Sequence, residues 1–97
     1  MADLRKLARG QDCQVRLPGI CNGNPETTVL AHLRLAGLTG MGMKGPDLLG
    51  AWCCSACHDE ADRRSRKLEI EYVHAAFMEG IMRTIAALLK LGVVVIK

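Results

Sequence analysis

Four cysteines in two close pairs constrain this chain more than any other feature of its sequence. Cys54 and Cys57 have two residues between them, so both thiols can reach one metal ion from a single tight turn. Cys13 and Cys21 form the second pair, with seven residues between them. Two such pairs supply the four ligands of a closed tetrahedral zinc site, in which Zn–S distances are about 2.3 Å. The spacing therefore predicts a structural zinc ion.

The size of the chain explains why such a metal is needed. With 97 residues it can form one small domain, which we expect to span residues 1–97. Its aromatic side chains are limited to Trp52, Tyr72 and Phe77, so the core must be built from aliphatic residues and methionine. Domains of this size often require a metal ion or disulfides for stability.

The N-terminal segment indicates that the cysteines are reduced. It carries charges where a secretory signal needs an apolar stretch, and no segment approaches the roughly 20 apolar residues of a membrane span. We therefore expect a cytoplasmic protein with no membrane partner, in which the cysteines bind metal rather than form disulfides.

Two alternatives to a zinc site fit the cysteine pattern less well. A tryptophan before a cysteine is typical of thioredoxin-like redox pairs, but three residues separate Cys53 from Cys57 and no βαβ pattern surrounds them. A set of inert buried cysteines is disfavoured because Cys54 and Cys57 lie on a turn. Cys53 alternates with Cys54 along a predicted strand, so we expect it to point away from the metal and pack in the core.

The first third of the chain predicts turns and short strands. Pro18 and Gly19 indicate a tight turn inside the first cysteine pair. Val15 and Leu17 alternate with polar neighbours, which is typical of short strands beside that turn. Residues 27–33 are rich in β-forming residues and predict a strand with a histidine near its end.

The rest of the chain predicts one more strand and two helices. Residues 50–53 are expected to form a strand that leads into a helix beginning at about Cys57. A longer helix is predicted over about residues 69–91, with Gly92 as its C-terminal stop. Residues 93–96 then have the composition of a short final strand.

The long predicted helix has two apolar faces. The first recurs every three or four residues and is expected to be buried; it comprises Ile70, Val73, Phe77, Ile81, Ile85 and Leu88. The second comprises Met78, Met82, Ala86 and Leu89. Because two faces exceed what one small core uses, we expect either a homodimer through this helix or close packing on the N-terminal half.

Basic residues concentrate in two segments, although the net charge of +3 by itself says little about partners. The two groups are Arg5, Lys6, Arg9 and Arg16, and Arg63, Arg64, Arg66 and Lys67. If zinc joins the cysteine pairs, the groups can lie on neighbouring surfaces and bind a phosphate backbone. The alternative is a solvated helix face, which such charge runs usually form.

The histidines carry the remaining chemistry. His32 closes the predicted strand and His58 directly follows the second cysteine pair; each alone is more often a structural or surface residue than a catalytic one. His74 lies in the middle of the long helix, and we expect a structural role for it. His32 and His58 together favour a site.

Three elements follow one another in the order of a ββα-metal finger. They are a strand that ends in a histidine, then a long loop, then a CxxCH motif at the start of a helix. The chain resembles the HNH, or His-Me finger, endonuclease superfamily in its zinc-stapled form, and within it the small YbcO-like nuclease family of lambdoid prophages. The resemblance covers nearly the whole chain. It implies an α+β fold: a small zinc-stapled, treble-clef-like ββα-metal finger over about residues 10–67, followed by the long helix.

The resemblance also implies the site. His32 takes the position of the general base and His58 that of a metal ligand. Ala31 stands where the family has another metal ligand, and Asp62, one helical turn after His58, can make up for it. Asp47 falls near the family's central asparagine and can fix the loop or act as a ligand. These residues would hold one Mg²⁺ or Mn²⁺ ion for the hydrolysis of DNA phosphodiester bonds.

Three functions are open at this point. The first is a metal-dependent DNA endonuclease, in which Arg34 and the basic segment from Arg63 to Lys67 hold phosphates. The second is a zinc-stapled nucleic-acid-binding module of the same fold without catalysis, which Ala31 favours. The third is a small zinc-stabilised interaction protein that docks through the second apolar face of its long helix.

Overall fold

A computed structural model describes residues 3–32, 47–62 and 65–94 of the chain. The helices and strands within these ranges are, in chain order, α1 (Leu4–Ala8), β1 (Val29–His32), β2 (Gly50–Cys53), α2 (Ser55–Ala61) and α3 (Ile70–Lys90). Short 3₁₀ turns precede the two strands, at Pro25–Thr27 and Asp47–Leu49. This content confirms the expected α+β class with a long C-terminal helix.

The two strands form an antiparallel sheet in which Val29 lies opposite Cys53 and His32 opposite Gly50. The bounds of β2 are those predicted. β1 begins later than expected because the residues before it form a 3₁₀ turn, capped by the Asn24 side chain. Gly50 is required by this pairing, since a Cβ there would lie 2.8 Å from a methyl carbon of Leu30.

The sheet is covered on both faces, which separates two apolar clusters. The first cluster contains Ala31, Ala51 and Cys53 of the sheet together with the other buried cysteines and the first half of α3. The second contains Leu30 and Trp52 and packs against α1 and the end of α3. Because side chains alternate along a strand, neighbouring residues of each strand belong to different clusters.

One face of α3 is buried, largely as the apolar spacing predicts. Val73, Ile81 and Leu88 are fully buried, and Phe77 and Ile85 pack against the first cluster. The prediction was wrong for Ile70, which is 41% exposed in the first turn of the helix. No helix within the described ranges has the length and apolar character needed to cross a membrane.

Two small residues on the buried face of α3 bring it close to the rest of the molecule. A Cβ on Gly80 would lie 2.8 Å from Cγ2 of Val15, so the helix touches the first cysteine segment at this point. The Thr84 hydroxyl accepts a hydrogen bond from the Trp52 backbone N–H (2.9 Å) and donates one to the Gly80 carbonyl (2.8 Å). α3 is therefore fixed both to β2 and to the cysteine segment.

The predicted strands around Val15 and Leu17 do not form. Both side chains are buried, but the segment bends, and its backbone bond to the sheet runs from the Gln14 N–H to the Trp52 carbonyl (2.8 Å). The alternation of apolar and polar residues in this segment arises because its apolar side chains pack against α3, not because the segment pairs with a strand. The predicted turn is confirmed: Gly19 has a φ of +71°, and the Cys21 N–H donates to the Leu17 carbonyl (2.9 Å).

α3 ends at the predicted glycine. Gly92 has a φ of +73°, its N–H donates to the Leu89 carbonyl, and the Val93 N–H donates to the Leu88 carbonyl, both at 3.1 Å. This is a Schellman motif, which satisfies carbonyls left open at the helix end. Val93 and Val94 bend and pack on the second cluster instead of forming the predicted strand, and residues 95–97 lie outside the described ranges.

Candidate metal centre and adjoining candidate active site

The four predicted zinc ligands converge. One sulfur atom each from Cys13, Cys21, Cys54 and Cys57 lies within 4.8 Å of all the others, and three of these residues are buried. The sulfurs of Cys21 and Cys54 are 3.8 Å apart. A tetrahedral site with Zn–S bonds of about 2.3 Å places its sulfurs about 3.8 Å apart. The donor set and its spacing therefore fit a structural zinc ion.

Local structure gives each sulfur a backbone N–H. The Cys57 N–H lies 3.4 Å from the Cys54 sulfur because Cys54 is the N-cap of α2. The Arg16 N–H lies 3.5 Å from the Cys13 sulfur, and Arg16 takes a φ of +54° to place it there. N–H groups of Gly23 and Leu17 hydrogen-bond to the sulfurs of Cys21 and Cys57 respectively. Such contacts stabilise the thiolate form that zinc requires.

Without a cation, hydrogen bonds and burial shift the pKa values of three of these thiols in opposite directions. Hydrogen bonds from Cys53 and Cys57 hold the pKa of Cys13 far below its ordinary value. The pKa of Cys57 is raised, chiefly by that bond to Cys13, and the pKa of Cys21 is raised chiefly by burial. These hydrogen bonds favour the thiolate at Cys13, and a bound Zn²⁺ would stabilise further thiolates in the cluster.

Cys53 lies beside this cluster, although it was expected to point away from it. It is fully buried, as predicted, and stands outside the four-sulfur set. Its thiol nevertheless hydrogen-bonds to Cys13 and Cys57, and these bonds together with burial raise its pKa strongly. Alternation does turn it away from Cys54, but the Cys13 segment covers that face of the sheet and brings a ligand to it.

A polar network near the centre was not foreseen from the sequence. The Asn22 amide donates to the hydroxyls of Ser55 (3.1 Å) and Thr27 (3.3 Å), and the Ser55 N–H donates to the Thr27 hydroxyl (3.2 Å). It ties the loop after Cys21 to the first residue of α2. The only sequence signal was the density of turn-forming residues between Asn22 and Thr27.

His58 and Asp62 form a pair on the more exposed side of α2. Nε2 of His58 lies 3.2 Å from Oδ2 of Asp62, one helical turn further on, and their side chains are 31% and 18% exposed. Helical spacing puts both residues on one face, as the sequence predicted. A nitrogen and an oxygen donor at this distance can hold a hard divalent cation in part.

The other predicted members of the active site, His32 and Asp47, lie at the end of β1 and at the start of the turn before β2. Within the residues the structure describes, the cysteine set alone has three or more metal-binding side chains within 4.8 Å of one another. Asp47 begins the 3₁₀ turn before β2, and its side chain lies outside the description. The convergence of these residues on one catalytic ion therefore stays a prediction.

His32 stands at the end of β1, opposite Gly50. It is partly buried, and alternation places it on the Leu30 face of the sheet. Ala31, at the position where the resemblance implies another metal ligand, is 3% exposed and packs in the first cluster. The core occupies that position, so no ligand can replace it without repacking.

The segment between α2 and α3 carries exposed basic residues. Arg66 and Lys67 are exposed, whereas Arg34, Arg63 and Arg64 lie outside the described residues. Glu60, fully buried, holds the segment in place by accepting hydrogen bonds from the Ser65 hydroxyl (2.5 Å) and the Leu68 N–H (2.8 Å). A shallow pocket of about 250 Å³ adjoins the segment; its lining is Gly19, Ile20, Ala56, Asp59, Ser65 and Lys67.

Comparisons with known proteins show the family of the chain. Residues 2–93 match the family model described as "Putative nuclease YbcO". Curated proteins of that name from Escherichia coli strain K12 and from Enterobacteria phage 82 are each 58% identical over 94 residues, covering 97% of this chain and 98% of the relative.

A solved structure is also similar. It is described as "Structure of a putative bacteriophage protein from Escherichia coli str. K-12 substr. MG1655", and it is 50% identical with a TM-score of 0.80. The match covers 93% of this chain and all of the other. Since the family model spans most of the chain and the relatives match over nearly their full length, the chain belongs to the YbcO family of proteins named as nucleases.

Proposed function

We propose that this protein is a metal-dependent endonuclease of the HNH type that hydrolyses phosphodiester bonds in DNA. The observation that carries the proposal is the 3.2 Å pair of His58 and Asp62 on α2, directly after the cysteine ligand Cys57. A largely buried sulfur site and a partly exposed nitrogen–oxygen pair then share one short helix. The family name and the phage source of a relative support a nucleic-acid substrate.

The nitrogen and oxygen donors of His58 and Asp62 fit Mg²⁺ or Mn²⁺, whereas the cysteine sulfurs fit zinc. His58 and Asp62 would hold the ion, Asp47 would add a carboxylate, and the exposed side of the pair leaves room for water and a phosphate oxygen. When bound, such an ion stabilises the charge that develops on the phosphate and on the leaving oxygen. The zinc would hold α2 in place beneath this site.

His32 would act as the general base. A neutral imidazole accepts a proton from the attacking water near pH 7, which typically contributes about 10²- to 10⁴-fold to the rate. The exposed Arg66 and Lys67, with Arg34, Arg63 and Arg64, would hold the phosphate backbone. Contacts of this kind position DNA without reading its sequence, so we expect little base specificity and strong salt dependence.

The test compares His32→Ala with the wild type on supercoiled, linear, branched and single-stranded DNA. Zinc-loaded protein is incubated with Mg²⁺ or Mn²⁺, and nicking is followed on gels while DNA binding is followed by fluorescence anisotropy. We expect His32→Ala to lower the nicking rate about 10²-fold or more with binding unchanged. His74→Ala is the matched control, because His74 is an exposed histidine on α3, and it should nick like the wild type.

A second function is favoured by one observation. Ala31 is buried in the core at a position where HNH enzymes carry a metal ligand, which favours a zinc-stapled DNA-binding module without catalysis. Salt-sensitive DNA binding without nicking in any divalent cation would establish that module and overturn the endonuclease. If the protein neither bound nor nicked DNA, both functions would be overturned and the interaction protein would remain.

A further inference from the structure

We propose that the solvent side of α3 is a homodimer interface in which two copies of the helix pack antiparallel. The face that forms it is the α3 stripe, defined as Ala75, Met78, Met82, Ala86 and Leu89. This inference is independent of the proposed hydrolysis, since it concerns the side of α3 opposite the core and needs no substrate.

The exposure of the α3 stripe is unusual for a helix in a small domain. Met82 is 59% exposed, Met78 43% and Leu89 37%, and both alanines are exposed as well. The stripe residues recur three or four apart and run about 21 Å along the helix at 1.5 Å per residue. A continuous apolar face of this kind is suited to packing against another apolar surface.

The size of the stripe fits a weak pairing of two copies. In a two-fold symmetric dimer the α3 stripe of one copy contacts the α3 stripe of the other, so no second surface is needed. The paired stripes would bury less than about 1,000 Å², which lies in the range of weak and transient interfaces. We therefore expect a dissociation constant in the range of about 1–100 µM.

Charge at the two ends of the stripe selects the direction of the pairing. Glu71 is exposed in the first turn of α3 and Lys90 is exposed in the last. With Met78 of one copy opposite Met82 of the other, an antiparallel pair brings Glu71 against Lys90 at both ends. A parallel pair would instead bring like charges together.

The charges beside the middle of the stripe do not oppose this arrangement. Glu79 is the acidic residue there, and the Arg83 guanidinium lies 3.1 Å from its carboxylate. Arg83 is itself fixed by a 2.8 Å hydrogen bond to the Gln14 carbonyl. The pair is therefore held within one copy, and the two copies of Glu79 meet as neutralised groups.

Sedimentation equilibrium of the zinc-loaded full chain tests this interface. Protein concentrations from about 1 to 300 µM bracket the expected dissociation constant. We expect a monomer–dimer equilibrium, and Met82→Glu should weaken it about 10- to 100-fold because a carboxylate replaces a buried thioether. Ile70→Glu is the matched control, since Ile70 is exposed on the same helix but outside the stripe, and it should dimerise like the wild type. A monomer at all concentrations, or Met82→Glu dimerising normally, would overturn the proposal.

A charge exchange tests the direction of the helices without touching the apolar face. Glu71→Lys and Lys90→Glu should each weaken the dimer, about two- to fivefold at low salt. The double variant should recover the wild-type constant, because the two exchanged charges again meet with opposite signs at both ends of the stripe. If the double variant is weaker than either single variant, the antiparallel arrangement is wrong.

Discussion

Cys57 and His58 are neighbours in the chain and lie in opposite environments. The Cys57 side chain is fully buried, with three other sulfurs within 4.8 Å. The His58 side chain is 31% exposed, with the Asp62 carboxylate 3.2 Å away. Both residues lie in the first turns of α2, so a rotation of about 100° about the helix axis separates a core site from a surface site.

This difference assigns different roles to the two sites. Four sulfurs, three of them on buried residues, can hold a zinc ion that is largely shielded from water, so the energy of binding would become energy of folding. The His58–Asp62 pair is partly exposed, so a cation bound there would be able to exchange and to meet a substrate phosphate. We therefore expect substitutions at the sulfur site to change stability and substitutions at the pair to change metal-dependent chemistry.

The largest effect is expected from Cys57→Ser. Structural zinc contributes about 10–16 kcal/mol to folding in small zinc-binding peptides, which exceeds the total stability of about 5–15 kcal/mol of a typical domain. The variant should lose its zinc and its cooperative thermal transition. Metal analysis of the purified protein and circular dichroism on heating provide the measurements.

Cys53→Ala is the matched control for that experiment. Cys53 is as deeply buried as Cys57 and contacts the cluster, but it stands outside the four-sulfur set. It should retain one zinc per chain and unfold cooperatively. If Cys53→Ala lost the metal while Cys57→Ser kept it, the assignment of the ligands would be wrong.

Gly80→Ala tests whether the sulfur site depends on α3. The new Cβ would lie 2.8 Å from Cγ2 and 3.1 Å from Cα of Val15, which belongs to the first cysteine segment. Overpacking costs about 1–3 kcal/mol, and the higher helix propensity of alanine offsets up to about 1 kcal/mol. We expect a net loss of about 1–2 kcal/mol in urea unfolding of the zinc-saturated protein, and weaker zinc binding.

Gly92→Ala separates this steric effect from a general cost of replacing glycine. A Cβ on Gly92 meets no atom within 4 Å, but the residue has a φ of +73°. Its cost of about 1–2 kcal/mol comes from the left-handed backbone alone. Zinc affinity should therefore stay at the wild-type value. If Gly92→Ala lowered zinc affinity as much as Gly80→Ala does, the contact between α3 and Val15 would not stabilise the sulfur site.

The sequence predicted the features that depend on local spacing. The cysteine intervals located the four sulfurs, the apolar period located α3 with an end at Gly92, and helical spacing placed Asp62 beside His58. These follow from the geometry of a turn or a helix, which a short segment determines by itself. The strand that carries His32 was also found, although its first residues form a 3₁₀ turn.

The features that were missed depend on contacts between distant segments. Val15 alternates like a strand residue but packs on α3, because Gly80 leaves space for it. Cys53 reaches the metal cluster because the Cys13 segment covers its face of the sheet. No local pattern encodes such contacts, since each requires the position of a second segment. The relation of His32 to His58 also depends on two distant segments and could not be derived from spacing.

Thr84→Val tests how much the hydrogen bond between α3 and β2, the strand that leads into the sulfur site, contributes to stability. The Thr84 hydroxyl is buried and accepts the Trp52 N–H at 2.9 Å, so valine leaves that N–H without this partner. An unsatisfied buried donor costs about 1–3 kcal/mol, and we expect a loss of about 1–2 kcal/mol in urea unfolding.

Thr28→Val is its matched control. The Thr28 hydroxyl is also buried, but it finds no hydrogen-bond partner among the described residues. Removing a hydroxyl without a partner relieves its desolvation cost, so this variant should be as stable as the wild type or slightly more stable. Equal losses in both variants would mean that shape, and not the hydrogen bond from Trp52, accounts for the effect of Thr84→Val.

Asp62→Asn should have the smallest effect on stability. A partly exposed pair one helical turn apart contributes about 0.2–0.5 kcal/mol, so the thermal midpoint and the zinc content should hardly change. The Mn²⁺ concentration that half-saturates nicking should instead rise roughly tenfold or more, because an amide is a weaker ligand than a carboxylate. Asp59→Asn, on the same helix, should leave the Mn²⁺ requirement unchanged. If Asp62→Asn destabilised the protein as Gly80→Ala does, the pair would belong to the core, and the division of α2 into a sulfur face and a chemical face would fail.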